Sequence, residues 1–184
     1  DRFMLSVRLG YPSEKDELEI VRRTTSGDLP EVRTVLKREA ILEFQDLIPK
    51  ILLSESVLKY AVDLTRDTRP DEGAPDFVRR WVQWGAGPRA GQALILSAKA
   101  RAALHGRPAV TTEDVRAVAP AVLRHRVIAN FTAEAEGASS ETIVDRLLSG
   151  DRGDAKARKI ESPVATVARS LFKRKIGARR GAAA

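Results

Sequence analysis

Cysteine is absent from this chain of 184 residues, which excludes disulfide bonds and thiolate metal sites. Long apolar runs are also absent: no stretch approaches the roughly 20 residues that cross a bilayer, and no signal-peptide pattern occurs. Histidine occurs only as His105 and His125, far apart and without a third ligand nearby, so we expect no metal site. No Ser/His/Asp or Cys/His arrangement suggests nucleophilic catalysis.

The net charge of +7 is confined to one part of the chain. Residues 1–150 contain 22 Lys and Arg against 22 Asp and Glu, whereas residues 151–184 contain ten against three. Only the C-terminal tail therefore carries enough net positive charge to attract nucleic acid or another acidic partner.

The tail itself has two parts. Asp151 to Pro163 has the composition of a disordered segment. Beyond it, apolar residues follow helical spacing beside a basic cluster: Val164, Val167, Ala168, Leu171, Phe172 and Ile176. This pattern indicates either a basic amphipathic helix that binds an anionic membrane surface, an acidic partner or nucleic acid, or a solvated appendage with transient helix.

The body begins with a strand pattern, because apolar and other residues alternate over Phe3–Leu9. A sequence that opens inside a strand leads us to expect a piece of a longer protein. Helical patterns follow at Ser13 to about Thr25, about Arg38 to Ile48, Ser54 to about Thr68, Pro88 to His105 and Thr111 to about Leu123. We expect Ser140 to cap a short last helix. The body is thus predicted as one strand followed by a bundle of helices.

The stretch Gly85-Ala86-Gly87-Pro88-Arg89-Ala90 is a turn that leads into a long, alanine-rich helix. Pro88 suits the first helical position, which fixes Arg89 by its backbone in the first turn. A guanidinium held in this way presents a rigid donor fork to a phosphate, although an ordinary solvated arginine has the same local sequence. The apolar residues that this helix carries are Ala93, Leu94, Leu96, Ala98, Ala100, Ala103 and Leu104.

Two other clusters allow two interpretations each. Trp81 and Trp84 precede the turn and either pack a short helix onto the core or form a ligand surface. The cluster Arg124-His125-Arg126 either contacts phosphate or forms a patch at a helix end or subunit contact.

Four motifs occur in an order and spacing that resembles the C-terminal part of a MoxR-type AAA+ ATPase, over roughly residues 1–150. They are Asp1-Arg2-Phe3-Met4, Gly85-Ala86-Gly87-Pro88-Arg89-Ala90, Gly106-Arg107-Pro108-Ala109-Val110-Thr111 with Glu113-Asp114-Val115, and Leu123-Arg124-His125-Arg126. One departure is Gly87, where the family commonly has Ser.

The resemblance implies a mainly α fold: the terminal strand of an AAA+ α/β core, then a helical lid bundle and the basic, partly disordered tail. It divides the chain into residues 1–37 (end of the ATPase core and linker), 38–150 (helical lid) and 151–184 (tail).

The resemblance also implies roles for individual residues. Arg2 matches the arginine finger, which reaches the nucleotide of a neighbouring subunit, and Arg89 matches the sensor 2 arginine, which approaches the γ-phosphate. Pro88 and Ala90 flank Arg89 in the nucleotide-binding motif. The implied cofactors are ATP and Mg²⁺, and the implied assembly is a cytoplasmic hexamer that remodels client proteins, often with von Willebrand factor A domains.

One part of the family pattern is missing. No G-x-x-x-x-G-K-[ST] loop occurs in the chain, and no apolar strand with an acidic end for Mg²⁺. We therefore expect an intact protein that hydrolyses ATP and a chain that does not do so alone. The alternative is a non-enzymatic helical module that uses its basic tail on nucleic acid or membrane.

Overall fold

The computed structural model describes residues 2–27 and 33–150. The elements in chain order are α1 (Glu14–Thr25), α2 (Arg38–Leu47), a 3₁₀ turn (Ile48–Lys50), α3 (Glu55–Asp67), α4 (Asp76–Trp81), β1 (Val82–Trp84), α5 (Pro88–Leu104), α6 (Thr112–Leu123), β2 (Ile128–Ala129), α7 (Phe131–Ala135) and α8 (Ser140–Ser149). The fold is mainly helical, which confirms the predicted class. The tail predictions for residues 151–184 lie outside the described residues.

Helices α1, α3 and α6 begin where the sequence places capping side chains. Ser13, Ser54 and Thr111 each accept a hydrogen bond from a backbone N–H in the first turn of α1, α3 and α6. The last helix is capped by Ser139 rather than by the predicted Ser140. The two serines are neighbours, and Ser139 has the extended backbone that an N-cap requires.

The core lies where α5 packs along α6, with α3 and α8 against them. Four of the six buried residues of α5 are alanines, and the other two are Leu94 and Ser97. The largest fully buried side chains are Leu94, Leu123, Ile143, Val78, Val115, Val122, Val127 and Val144, together with the polar Thr68 and Asp114.

A short antiparallel ladder between β1 and β2 joins the segment before α5 to the segment after α6. In it Val82 is opposite Ala129 and Trp84 is opposite Ile128, so β1 has one more residue than β2 over this step, which is a bulge. The ladder is extended by Asn130, whose N–H donates to the Trp81 carbonyl at 2.8 Å. Because α5 begins shortly after β1 and α6 ends shortly before β2, the start of α5 and the end of α6 lie at the same end of the helix pair.

The predicted strand over Phe3–Leu9 is wrong for this structure, which has no strand among residues 2–13. A strand needs a neighbour to supply its ladder hydrogen bonds, and within 2–27 and 33–150 the sheet consists of β1 and β2 alone. The alternating apolar side chains of this segment are exposed, including Phe3, Val7 and Leu9.

Helices α1 and α2 bury no residue within the described chain. The packed core instead runs from Ile51 and Val57 to Leu147 and Leu148. In the described parts, no helix is both long and apolar enough to cross a membrane.

Candidate functional site

The turn before α5 is fastened to the end of α3 by hydrogen bonds. The Ala86 N–H donates to the Thr68 hydroxyl at 2.8 Å, and that hydroxyl donates to the Thr65 carbonyl at 2.6 Å. The Arg69 Nε–H donates to the Ala86 carbonyl at 3.0 Å. Both backbone groups of Ala86 are therefore bonded, and the direction in which the chain enters α5 is fixed by α3.

Glycine at position 85 permits the close approach of this turn to the end of α3, because any side chain at that position would clash with the backbone. A Cβ at this position would lie 2.5 Å from the Thr68 carbonyl oxygen and 2.6 Å from Arg69 Cα. Both atoms belong to backbone and cannot rotate away. Gly87, by contrast, has nothing within 4 Å of a Cβ added there.

The three predicted site residues of this motif, Pro88, Arg89 and Ala90, have different environments in the structure. Pro88 is the first residue of α5, after Gly87 as the N-cap, and Arg89 is the second and is exposed. No hydrogen bond or ion pair of the Arg89 side chain is found within residues 2–27 and 33–150. Ala90 is fully buried and its N–H donates to the Gly87 carbonyl at 3.0 Å, so it contributes by packing the start of the helix.

The chain around Arg2 is held by the end of α6. The Arg126 guanidinium donates to the carbonyls of Phe3 at 2.5 Å and Met4 at 3.1 Å, and the His125 ring nitrogen Nε2 lies 3.1 Å from the Phe3 carbonyl. Arg2 itself is exposed. The cluster Arg124–Arg126 is thus a contact patch at a helix end, as one of its two interpretations predicted.

The structure therefore brings the backbone beside Arg2 and the turn that carries Arg89 to one end of the α5–α6 pair. The link is the β1–β2 ladder, which pairs the residues just before the turn with those just after Arg126.

A buried carboxylate at the other end of α6 was not predicted as a functional or structural centre. Asp114 accepts from Arg101 Nη1 at 2.6 Å, from both terminal nitrogens of Arg107, and from the Thr111 N–H at 3.0 Å. Burial alone raises the pKa of Asp114, but hydrogen bonds from Arg107, Thr111 and Arg101 outweigh burial and hold it well below its usual 3.8. The spacing Arg107 to Asp114 within one motif is the signal that sequence reasoning could have used.

The two tryptophans have different environments. Trp81 packs against Phe77, with ring centroids 6.0 Å apart, and its indole N–H donates to Glu136 at 2.8 Å. This bond, followed by that from Arg80, lowers the pKa of Glu136. Trp84 is 70% exposed, so packing explains Trp81 but not Trp84.

The donor set at the start of α5 suits a phosphate better than a metal ion. A helix start carries partial positive charge, and Arg89 adds a full charge that the described residues leave unpaired. No group of three or more His, Cys, Asp or Glu side chains that could hold a metal occurs in residues 2–27 and 33–150. These residues therefore do not fit a magnesium site.

Comparison with known proteins identifies the family that the chain resembles. Residues 77–147 match the AAA lid domain family. Over 149 residues the chain is 33% identical to "Chaperone MoxR1" of Mycobacterium tuberculosis, covering 80% of this chain and 39% of that protein. The chain carries the lid of a MoxR-type AAA+ ATPase.

Two further relatives agree with the MoxR-type lid. The chain is 30% identical over 137 residues to the magnesium-chelatase 38 kDa subunit of Acidiphilium rubrum, covering 69% of this chain and 35% of that one. A crystal structure of a protein from Cytophaga hutchinsonii, named as a candidate ATPase, superposes with a TM-score of 0.72 at 35% identity, covering 80% of this chain and 46% of that one. The chain spans less than half the length of each.

Proposed function

We propose that this chain supplies two arginines to the ATP site of a MoxR-type AAA+ ATPase. In this proposal Arg89 is the sensor 2 arginine on the γ-phosphate, and Arg2 is the arginine finger for a neighbouring subunit's nucleotide. Phosphoryl transfer is accelerated chiefly by positive charge placed on the transferred phosphate, which is what an oriented guanidinium provides.

The observation that carries the proposal is the environment of Arg89. The fastened turn at Thr68 and Gly85 fixes the backbone, while the guanidinium is exposed and has no partner among the described residues. A solvated surface arginine does not need a turn in which Ala86 is buried and hydrogen-bonded through both of its backbone groups. Orientation before binding reduces the entropy that is lost when the phosphate binds.

ATP and Mg²⁺ are assigned to the complete site rather than to this chain. The described residues contain no suitable carboxylate cluster, and the 184 residues contain no P-loop sequence. We infer that a P-loop core cradles the nucleotide and the metal ion, and that Arg89 and Arg2 approach it from outside.

The roles proposed for Arg2 and Arg89 also imply how the subunits assemble. An arginine finger acts across a subunit boundary, which supports a closed ring, proposed here as a cytoplasmic hexamer. The relative named as a chaperone supports remodelling of client proteins as the output of ATP hydrolysis. Clients with a von Willebrand factor A domain are proposed from the family resemblance alone.

The test is ATP turnover of the full-length protein with Arg89→Ala. Turnover should fall by about 100-fold, because the substitution removes a donor aimed at charge that develops during the reaction. The matched control is Arg79→Ala, an exposed arginine on α4 that pairs with Asp76 of the same helix. Wild-type turnover of Arg89→Ala, with the control also unchanged, rejects the sensor assignment.

A further inference from the structure

A cluster of hydrogen bonds ties the segment Phe3–Ser6 to the end of α6. The Phe3 carbonyl accepts from Arg126 at 2.5 Å and lies 3.1 Å from His125 Nε2, and the Met4 carbonyl accepts from Arg126 at 3.1 Å. The Ser6 N–H donates to the Ala121 carbonyl at 2.8 Å. We call the contacts of Arg126 and His125 with these two carbonyls the clasp.

Arg126 is suited to hold a backbone rather than a solvent-exposed anion. Arg126 is only 6% exposed, and its guanidinium also donates to the Val122 carbonyl in the last turn of α6, which restricts the orientation of the guanidinium. Burial lowers the pKa of this group, so its charge needs acceptors close by. The carbonyls of Phe3 and Met4 provide them, and the segment and the arginine stabilise each other.

His125 supports the same carbonyl from a second direction. Its Nδ1 atom is buried and has no hydrogen-bond partner in the described parts of the chain. When Nε2 carries a proton, Nε2–H donates to the Phe3 carbonyl. Phe3 thus accepts from two side chains, and its carbonyl direction is strongly restricted.

We propose that Arg126, assisted by His125, is a positioning residue for Arg2, an inference that rests on the proposed role of Arg2 as the arginine finger. Phe3 directly follows Arg2, so fixing its carbonyl restricts the backbone from which the Arg2 side chain extends. Arg126 belongs to the same lid as Arg89. Through the clasp, a movement of the lid that displaces Arg89 also displaces Arg2.

The physical part of this proposal is tested on the 184-residue chain by hydrogen–deuterium exchange. The Ser6 amide is the reporter, because its protection requires the segment to lie on α6. In Arg126→Gln this amide should exchange at least about tenfold faster than in the wild type. The matched control is Arg124→Gln, a neighbouring arginine bonded to Pro120 and Glu141 but not to the segment. Wild-type protection of Ser6 in Arg126→Gln overturns the proposal.

Two milder variants keep the test decisive if Arg126→Gln does not fold. Arg126→Lys keeps the charge but loses the fork of donors, and His125→Phe removes only the second donor to Phe3. Each should increase the exchange rate of Ser6, with Arg126→Lys between the wild type and Arg126→Gln where both fold. Protection equal to wild type in both milder variants contradicts the clasp.

The functional part is tested on ATP turnover of the full-length protein. Arg126→Gln should lower kcat by up to about 100-fold through misplacement of Arg2, with KM for ATP changed less than about twofold. Arg126→Lys should restore part of kcat. The double variant Arg2→Ala/Arg126→Gln should be no slower than Arg2→Ala, because both substitutions remove the same contribution.

The outcomes separate this inference from the function on which it rests. Wild-type kcat of Arg126→Gln, together with fast Ser6 exchange, overturns the positioning role. An additive loss in the double variant also overturns it. Wild-type turnover of Arg2→Ala contradicts the proposed function of Arg2 instead, and the clasp is then decided by the exchange of Ser6.

Discussion

Arg107 and Asp114 form a two-point ion pair that closes the connection between α5 and α6. Both terminal nitrogens of Arg107 donate to the Asp114 carboxylate, which is fully buried at the first turn of α6. Asp114 is also the partner of Thr111 in a capping box. One carboxylate therefore joins the start of α6, the connector and, through Arg101, the last part of α5.

Asp114→Asn should destabilise the lid by about 3 kcal/mol, because removing one partner leaves the charges of Arg101 and Arg107 uncompensated. Urea unfolding followed by circular dichroism measures this free energy. The matched control is Asp63→Asn, which breaks an exposed pair with Lys59 on α3 and should cost less than about 1 kcal/mol. Equal losses in the two variants would contradict the role given to Asp114.

Acid should weaken the lid through the same carboxylate. The folded pKa of Asp114 lies below its usual 3.8, so the unfolded chain binds the proton more readily. The stability due to Asp114 is therefore complete above about pH 5 and is lost progressively as the pH falls below that. Unfolding free energies at pH 6 and pH 3.5 should differ more in the wild type than in Asp114→Asn. A difference of the same size in both proteins would be the contrary result.

Gly85→Ala should destabilise the lid by about 1–3 kcal/mol, because the added Cβ meets the backbone of Thr68 and Arg69, which must move. Gly87→Ser is the control in the same turn. It has open space for its side chain and places a good N-cap residue before Pro88, so its stability should change by less than about 0.5 kcal/mol. Thermal unfolding of both variants measures the two changes in stability. A Gly85→Ala variant as stable as the wild type would refute the close approach of Gly85 to the backbone of Thr68 and Arg69.

Thr68→Val should leave the buried Ala86 N–H without its acceptor and cost about 1–3 kcal/mol. Thr68→Ser keeps the hydroxyl and should retain most of the stability. Hydrogen exchange at the Ala86 amide gives a local readout, since that amide should lose protection in Thr68→Val alone. If the Ala86 amide exchanged as fast in Thr68→Ser as in Thr68→Val, the Thr68 hydroxyl would not be the acceptor that protects this amide.

The 184-residue chain should show no ATP hydrolysis above background, because it contains no P-loop sequence to bind the β-phosphate. Phosphate release with ATP and Mg²⁺ measures this directly. The full-length protein at equal concentration is the positive control. Turnover by the chain alone would require a nucleotide site of a different kind.

The sequence by itself determined the local features of this protein. The starts of α1, α3, α5 and α6 follow from Ser13, Ser54, Pro88 and Thr111, because a cap depends on bonds within one turn of the chain. The order of the four motifs also indicated the family, which the comparisons confirmed.

In the alanine-rich helix α5, the local sequence pattern did not show which residues are buried. Its apolar residues Leu96 and Leu104 are 38% and 86% exposed, while Ser97 and Ala102 are buried. Alanines occur on every side of this helix, so apolar periodicity did not define its inner face. The packing of α3 and α6 against α5 decided which residues are buried.

Tertiary structure alone decided the contacts that position the two arginines. The hydroxyl of Thr68 on the Ala86 amide, and Arg126 on the Phe3 carbonyl, join residues 18 and 123 positions apart. Such bonds involve backbone groups, which every residue carries, so no pattern of residue types marks them in advance. They exist because helix packing and the β1–β2 ladder bring the start of α5, the end of α6 and the chain beside Arg2 to one end of the lid.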